Sequence, residues 1–263
     1  MSTDADQGRA YVEQMRAKGK SDPEIEQALQ QAGWAAEQIA AVIGQPADLY
    51  EAAARGHVPA IEAHFRQGGD HSVRGPAGEP IHAAAAAGHT EAVAALIQHG
   101  ANLHHQGRDG MTPLHLAAAG GHEAVVQALL DRRCDIDLRD MQQMTPLHIA
   151  AREGRLGVLE QLLDNGADID AEDSLGQTAA QVAVKAGQLE AARVLLDSGS
   201  NLEQVDQRGQ TLLHTAAKAG LVEMMRFLIS RGSQLSVRDN NDRTALAVAE
   251  GAAKELLEEY GAK

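Results

Sequence analysis

Twelve histidines in a chain of 263 residues are the first feature that could carry chemistry. His82, His115, His148 and His214 share one position in a step of 33 residues or its multiple. Ligands to a single zinc must each come within about 2.1 Å of it. Side chains carried one per helix, on helices packed about 8–10 Å apart, do not converge that closely. These histidines are expected instead to bond neighbouring backbone at helix starts. His71, His104 and His105 form the one cluster worth weighing as a metal site, and no cysteine or matched carboxylate joins it. His122-Glu123 opens like a zinc-protease helix, but Val126 stands where the second histidine belongs. Asp135-Ile136-Asp137 and Asp168-Ile169-Asp170 open like calcium loops and lack the glycine and closing glutamate. Cys134 has no unique base beside it and reads as a buried, inert thiol. No glycine-rich loop with a lysine is present to cradle phosphate. The expectation is no catalytic residue, no metal site, no cofactor and no small-molecule substrate.

Composition sets what must position these residues. Apolar residues make up 44% of the chain but aromatics only 2%, so alanine and aliphatic side chains build the core. Small side chains suit closely packed helices. Acidic residues outnumber basic ones 37 to 23, for a net charge of −14. That balance argues against nucleic acid or an anionic membrane as partner. The single cysteine excludes an intrachain disulfide and fits a reducing compartment. Residues 1–7, Met-Ser-Thr-Asp-Ala-Asp-Gln, lack the basic and apolar regions of a secretory signal. No stretch approaches the roughly 18 apolar residues of a membrane helix. A soluble, cytoplasmic chain is expected.

Internal repetition organises the sequence. Thr112-Pro113-Leu114-His115 returns 33 residues later as Thr145-Pro146-Leu147-His148. The same step reaches Thr178, Thr211-Leu212-Leu213-His214 and Thr244, and backwards Glu79-Pro80-Ile81-His82. Gly88-His89 and Gly121-His122 keep that period, with glycine alone at Gly154, Gly187 and Gly220. A third marker is the Gly-Ala-Asp turn at Gly166, matched at Gly100 and Gly199. Threonine caps a helix and proline fits its first position, so each unit opens with a helix. Alanine pairs such as Ala117-Ala118 and Ala150-Ala151 let these first helices approach closely. Val125, Val126, Leu129 and Leu130 then give the 3–4 spacing of a second helix. Gly100, Gly166, Gly199 and Gly232 follow the second helices as left-handed caps, while Arg133 stands in that slot once.

These markers resemble those of ankyrin-repeat proteins. The resemblance implies an all-α solenoid of stacked helix-turn-helix units with β-turn fingers. It covers residues 46–263 as about seven repeats, the first degenerate and the last a truncated, polar-ended cap. Residues 1–45 read as a separate module of three small helices, with Tyr11, Val12 and Met15 on one face of the first. Asp22 is expected to cap its second helix, and Trp34 to fill its miniature core or to dock on the first repeat. Its Ala32-Gly33-Trp34 turn is faintly similar to ubiquitin-associated domains. Because Gly44-Gln45-Pro46 is short, this module is expected to pack on the degenerate repeat at Leu49–Phe65.

The resemblance further implies a non-catalytic scaffold or adaptor that binds another protein on its concave finger and first-helix surface. The alternatives are an accessory subunit that occludes one enzyme, with the amino-terminal module as plug, and a metal-dependent enzyme at the early histidine-rich turns. Finger positions expected at the interface are Met111, Met141, Gln142, Met144, Leu175, Gln177, Gln207, Arg208 and Gln210. First-helix positions are Arg152, Glu153, Lys185 and Lys218. Met111, Met141, Met144 and Leu175 are expected either to form one contiguous apolar patch on the concave side, since flexible methionines suit recognition surfaces, or to pack finger against finger for stability.

Overall fold

The computed structural model describes residues 4–44 and 46–262. Gln45 of the expected linker, Met1–Thr3 and Lys263 lie outside the described residues. Seventeen α-helices and one 3-10 turn account for the regular structure, with no strand among the described residues. No helix among them is long and apolar enough to cross a membrane.

Two compact units divide the chain, Met1–Cys134 and Asp135–Lys263. The first opens with α1 (Asp4–Ala17), α2 (Asp22–Gln31) and α3 (Ala36–Ile43). Val12, Ile25, Leu29, Ile39, Val42 and Ile43 form their shared core, and Tyr11, Met15 and Trp34 pack against it. Trp34 fills the miniature core, as its position suggested. The cap of α2 differs from expectation. Ser21 is its N-cap residue, while Asp22 is wholly buried against Arg16 and Arg55. Arg55 also donates to the carbonyls of Ile43 and Gly44, at 2.8 and 2.7 Å. A charged pair removed from water needs such added donors and acceptors. These bonds tie the module to the helix pair that follows it, so it shares a compact unit with three repeats instead of standing alone.

Those three repeats are α4 (Leu49–Ala54) with α5 (Val58–Arg66), α6 (Pro80–Ala87) with α7 (Thr90–Gln98), and α8 (Pro113–Gly120) with α9 (Glu123–Leu130). Within this unit the inner helices α4, α6 and α8 pack in sequence, as do the outer helices α5, α7 and α9. The second unit holds α10 (Pro146–Glu153) with α11 (Leu156–Asp164), α12 (Ala179–Lys185) with α13 (Leu189–Asp197), α14 (Leu212–Lys218) with α15 (Val222–Ser230), and the short α16 (Ala245–Val248) with α17 (Gly251–Glu259). Its inner helices α10, α12, α14 and α16 pack each on the next.

Alanine decides the spacing of the inner layer. Ala84, Ala85, Ala117, Ala118, Ala150, Ala151, Ala216 and Ala217 are all essentially inaccessible. A larger side chain at any of them would force the helices apart. The outer helices supply the bulk, with Val125, Val126, Leu129, Val158, Leu159 and Leu162 fully buried. Gly100, Gly166, Gly199 and Gly232 take positive φ after the outer helices. Arg133 does the same at φ 54°, a conformation that a side chain disfavours.

Candidate functional site

Each finger of the second unit is built around one aspartate. The Asp140 carboxylate accepts the backbone N–H groups of Gln142 and Met144, at 2.8 and 2.9 Å. Asp173 does so for Leu175 and Gln177, Asp206 for Arg208 and Gln210, and Asp239 for Asn241 and Arg243. In every finger the N–H of that aspartate donates to the carbonyl four residues on, which closes the loop. At Asp239 the Arg243 guanidinium, 2.8 Å away, joins these donors and holds the carboxyl well below the usual carboxylate range. The four aspartates keep the period of 33, a signal that the threonine, histidine and glycine markers overshadowed.

Neighbouring fingers are stitched through their backbones. Ser174 N–H donates to Gln142 O at 2.9 Å, Gln207 N–H to Leu175 O at 3.1 Å, and Asn240 N–H to Arg208 O at 2.9 Å. The finger surface is therefore a hydrogen-bonded array and not a set of free loops.

In the second unit the repeated histidines fix an inner helix to the finger of the next repeat. The N–H of Thr145 donates to His148 Nδ1 at 3.2 Å, so Nδ1 carries no proton. Nε2 then holds the proton and donates to Gln177 O, 3.0 Å away in the next repeat. His214 repeats this with Thr211 and Arg243 O. In α12 glutamine does the same work: Gln181 Oε1 accepts from Thr178 N–H, and Nε2 donates to the carbonyls of Gln204 and Gln210. Burial pushes the His148 imidazole below its ordinary pKa, against the opposing pull of the Gln177 carbonyl. Of the early histidines, His71 bonds His99 O at 3.0 Å and His105 lies 3.4 Å from the Glu79 carboxylate. Among the described residues no group of three or more histidine, cysteine, aspartate or glutamate side chains is placed to hold a metal ion.

The expected interface residues divide by exposure. Met141 is 71% exposed and Leu175 45%. Gln142, Arg152, Glu153, Lys185, Gln207, Arg208 and Lys218 are exposed as well. Met111 is half-buried and belongs to the first unit. Met144 departs from expectation: only 7% of it is accessible, and its Sδ lies 3.8 Å from Arg152 Nη1. Its slot faces the last turn of its own inner helix, which covers an unbranched apolar chain. Gln177 and Gln210 occupy the same slot and are also largely buried. Gln177 shows the polar version of the contact, accepting from Lys185 Nζ at 3.1 Å. Exposed apolar surface on the second unit's fingers thus reduces to Met141 and Leu175.

Seven expected residues converge. Leu175, Gln177, Lys185, Gln207, Arg208, Gln210 and Lys218 line a groove of about 490 Å³, completed by Asp206, Thr215 and Ala219. Its lysines come from α12 and α14, and Asp206, Gln207, Arg208 and Gln210 from one finger.

The model of one protein family, described as ankyrin repeats, matches residues 49–140, 138–206 and 183–263. Residues 1–48 precede these matches. Among curated proteins no sequence matches the chain. The chain is similar to the crystal structure of the ankyrin repeat domain of Bcl-3, described as a unique member of the IkappaB protein family. That likeness has 27% identity and a TM-score of 0.71, over 82% of this chain and 98% of that one. It is also similar to the human ASB11 ankyrin repeat domain, at 28% identity and a TM-score of 0.73, over 81% of this chain and 97% of that one.

Proposed function

From the premise that this chain belongs to the ankyrin-repeat family, whose repeats generally mediate protein–protein interaction, we propose that it is a non-catalytic scaffold holding a partner protein on the fingers and inner helices of its second unit. The observation that carries this reading is that seven of the expected residues line one groove. Exposed Leu175 and Met141 supply apolar contact, and lysine, arginine and glutamine side chains supply the polar rim that interfaces require. The bonded finger backbone pre-organises the surface, which lowers the ordering cost of association. The amino-terminal module is anchored through the buried Asp22–Arg55 pair, which supports an end-of-stack role over that of a mobile plug. A lone, buried cysteine suits a reducing, cytoplasmic setting.

The test compares partner capture by the full chain, by the Arg208→Glu/Lys218→Glu variant, and by Glu160→Lys on the exposed side of α11. Capture weakened at least tenfold by the groove variant alone supports the reading. Equal capture by all three overturns it.

A further inference from the structure

We infer that the groove recognises an extended acidic peptide segment bearing an apolar residue between its carboxylates. This rests on the scaffold reading and names the chemistry of the partner at that site.

The charge of the groove opposes the charge of the chain. The whole sequence carries −14, yet Lys185, Arg208 and Lys218 line this groove against the single carboxylate of Asp206. One oxygen of that carboxylate is committed to the N–H groups of Arg208 and Gln210, at 2.8 and 2.9 Å. The Lys185 ammonium donates to a neutral amide oxygen, that of Gln177. Among the described residues no carboxylate forms an ion pair with Lys185, Arg208 or Lys218. Three cations gathered in one concavity with a single carboxylate, and none of them in an ion pair, call for anions from outside, and arginine matches a carboxylate with two parallel bonds.

Position adds a spacing rule. Lys185 and Lys218 end successive inner helices, one repeat apart, and Arg152 holds the equivalent place on α10. Arg152 is already paired with Glu153 at 3.0 Å, which leaves the two lysines as the available rungs. Packed helices lie about 8–10 Å apart. Same-side residues of an extended chain recur about every 6.6 Å, so two carboxylates four residues apart, about 13 Å, flank an apolar residue on the same side, and the long lysine side chains span the difference from the helix spacing. In the same groove, exposed Leu175 and Ala219 offer an apolar seat. A groove of about 490 Å³ admits a few side chains, whereas a folded partner docking by this groove alone would need roughly 1,000 Å² or more of buried surface. The occupant is therefore a segment of chain.

A displayed library of random peptides, selected on the full-length protein and counter-selected on the Arg208→Glu/Lys218→Glu variant, tests this. All three wild-type cations are exposed, so the substitutions leave the fold intact, which circular dichroism checks. The expected result is a groove-dependent pool rich in aspartate and glutamate around a leucine, isoleucine or phenylalanine. Selection on the charge-reversed variant should instead enrich basic peptides, and members of the acidic pool should bind it at least tenfold more weakly. A groove-dependent pool that is neutral or basic on the wild-type protein overturns the acidic assignment and leaves the scaffold reading standing. Absence of any groove-dependent pool overturns the peptide assignment, while the scaffold reading stands or falls on the partner-capture test.

Discussion

The carboxylate of Asp22 and the guanidinium of Arg55 meet at 2.6 Å across 33 residues of sequence, with Asp22 fully buried. The N–H of Asp22 also donates to the Arg55 carbonyl at 2.8 Å, so side chains and backbone cross the same junction. Arg55→Met would leave the Asp22 carboxylate with Arg16 as its remaining ion-pair partner, 3.0 Å away. Removing one partner of a buried pair costs about 3–5 kcal/mol; retained pairing with Arg16 puts this case at the lower end. Hydrogen exchange should show α1–α3 and α4 losing protection together. Unchanged protection in α1–α3 would show that the module holds itself.

Deleting residues 1–45 tests the same junction from the other side. Helices α4–α7 should lose exchange protection more than α12–α15, because the cover that Asp22 and Ser21 give to Arg55 and Gly56 is gone. Equal loss along the chain would contradict this.

Arg133 stands at φ 54° where the other outer helices are followed by glycine. Arg133→Gly should raise stability by about 1 kcal/mol through relief of left-handed strain. Chemical denaturation reads this as a higher midpoint at unchanged slope. A lower midpoint would mean that the arginine side chain repays its strain elsewhere.

His148 makes its two bonds as the neutral imidazole, and burial depresses its pKa below the ordinary histidine value. A base with a lowered folded pKa binds fewer protons folded than unfolded, so stability is full above the ordinary value of about 6.5 and falls as pH drops below it. Gln181 fills the equivalent place without titrating. His148→Gln should therefore flatten the acid-side loss of melting temperature while keeping stability at pH 8. His148→Ala, which strands the buried Thr145 N–H and removes one of the two donors to the Gln177 carbonyl, should cost about 1–3 kcal/mol at pH 8. Identical pH profiles for wild type and His148→Gln would contradict a neutral His148 whose protonation the fold opposes.

Met141 and Met144 lie three residues apart in one finger and should behave oppositely. Met141→Asp, at an exposed site, should shift stability by less than about 0.5 kcal/mol. Met144→Ala empties a packed slot and should cost about 2 kcal/mol or more. Thermal melts of the two variants decide it, and equal effects would contradict the burial difference.

Much of this was legible in the sequence because each repeat must present the same inner face to its neighbour. The Thr-Pro-Leu-His strings mark helix starts whose caps and prolines are set by local geometry, and the alanine pairs mark the close approach. Met144 misled because an apolar residue beside a turn resembles an exposed one. Its slot contacts a side chain eight residues on, as the Gln177–Lys185 bond shows, and period alone does not reveal that. Asp22 and Arg55 were hidden for a different reason. Their pairing joins two segments of the first unit whose sequence patterns are unrelated, so no repeat or helical spacing links them.

Amide chemical-shift mapping on the full chain, titrated with a peptide drawn from the groove-dependent pool, tests the central claim most directly. Shifts should concentrate at Leu175–Gln177, Gln207–Gln210 and the last turns of α12 and α14, and should vanish in the Arg208→Glu/Lys218→Glu variant. Shifts concentrated instead on the outer helices α11, α13 and α15, and indifferent to that variant, would contradict it.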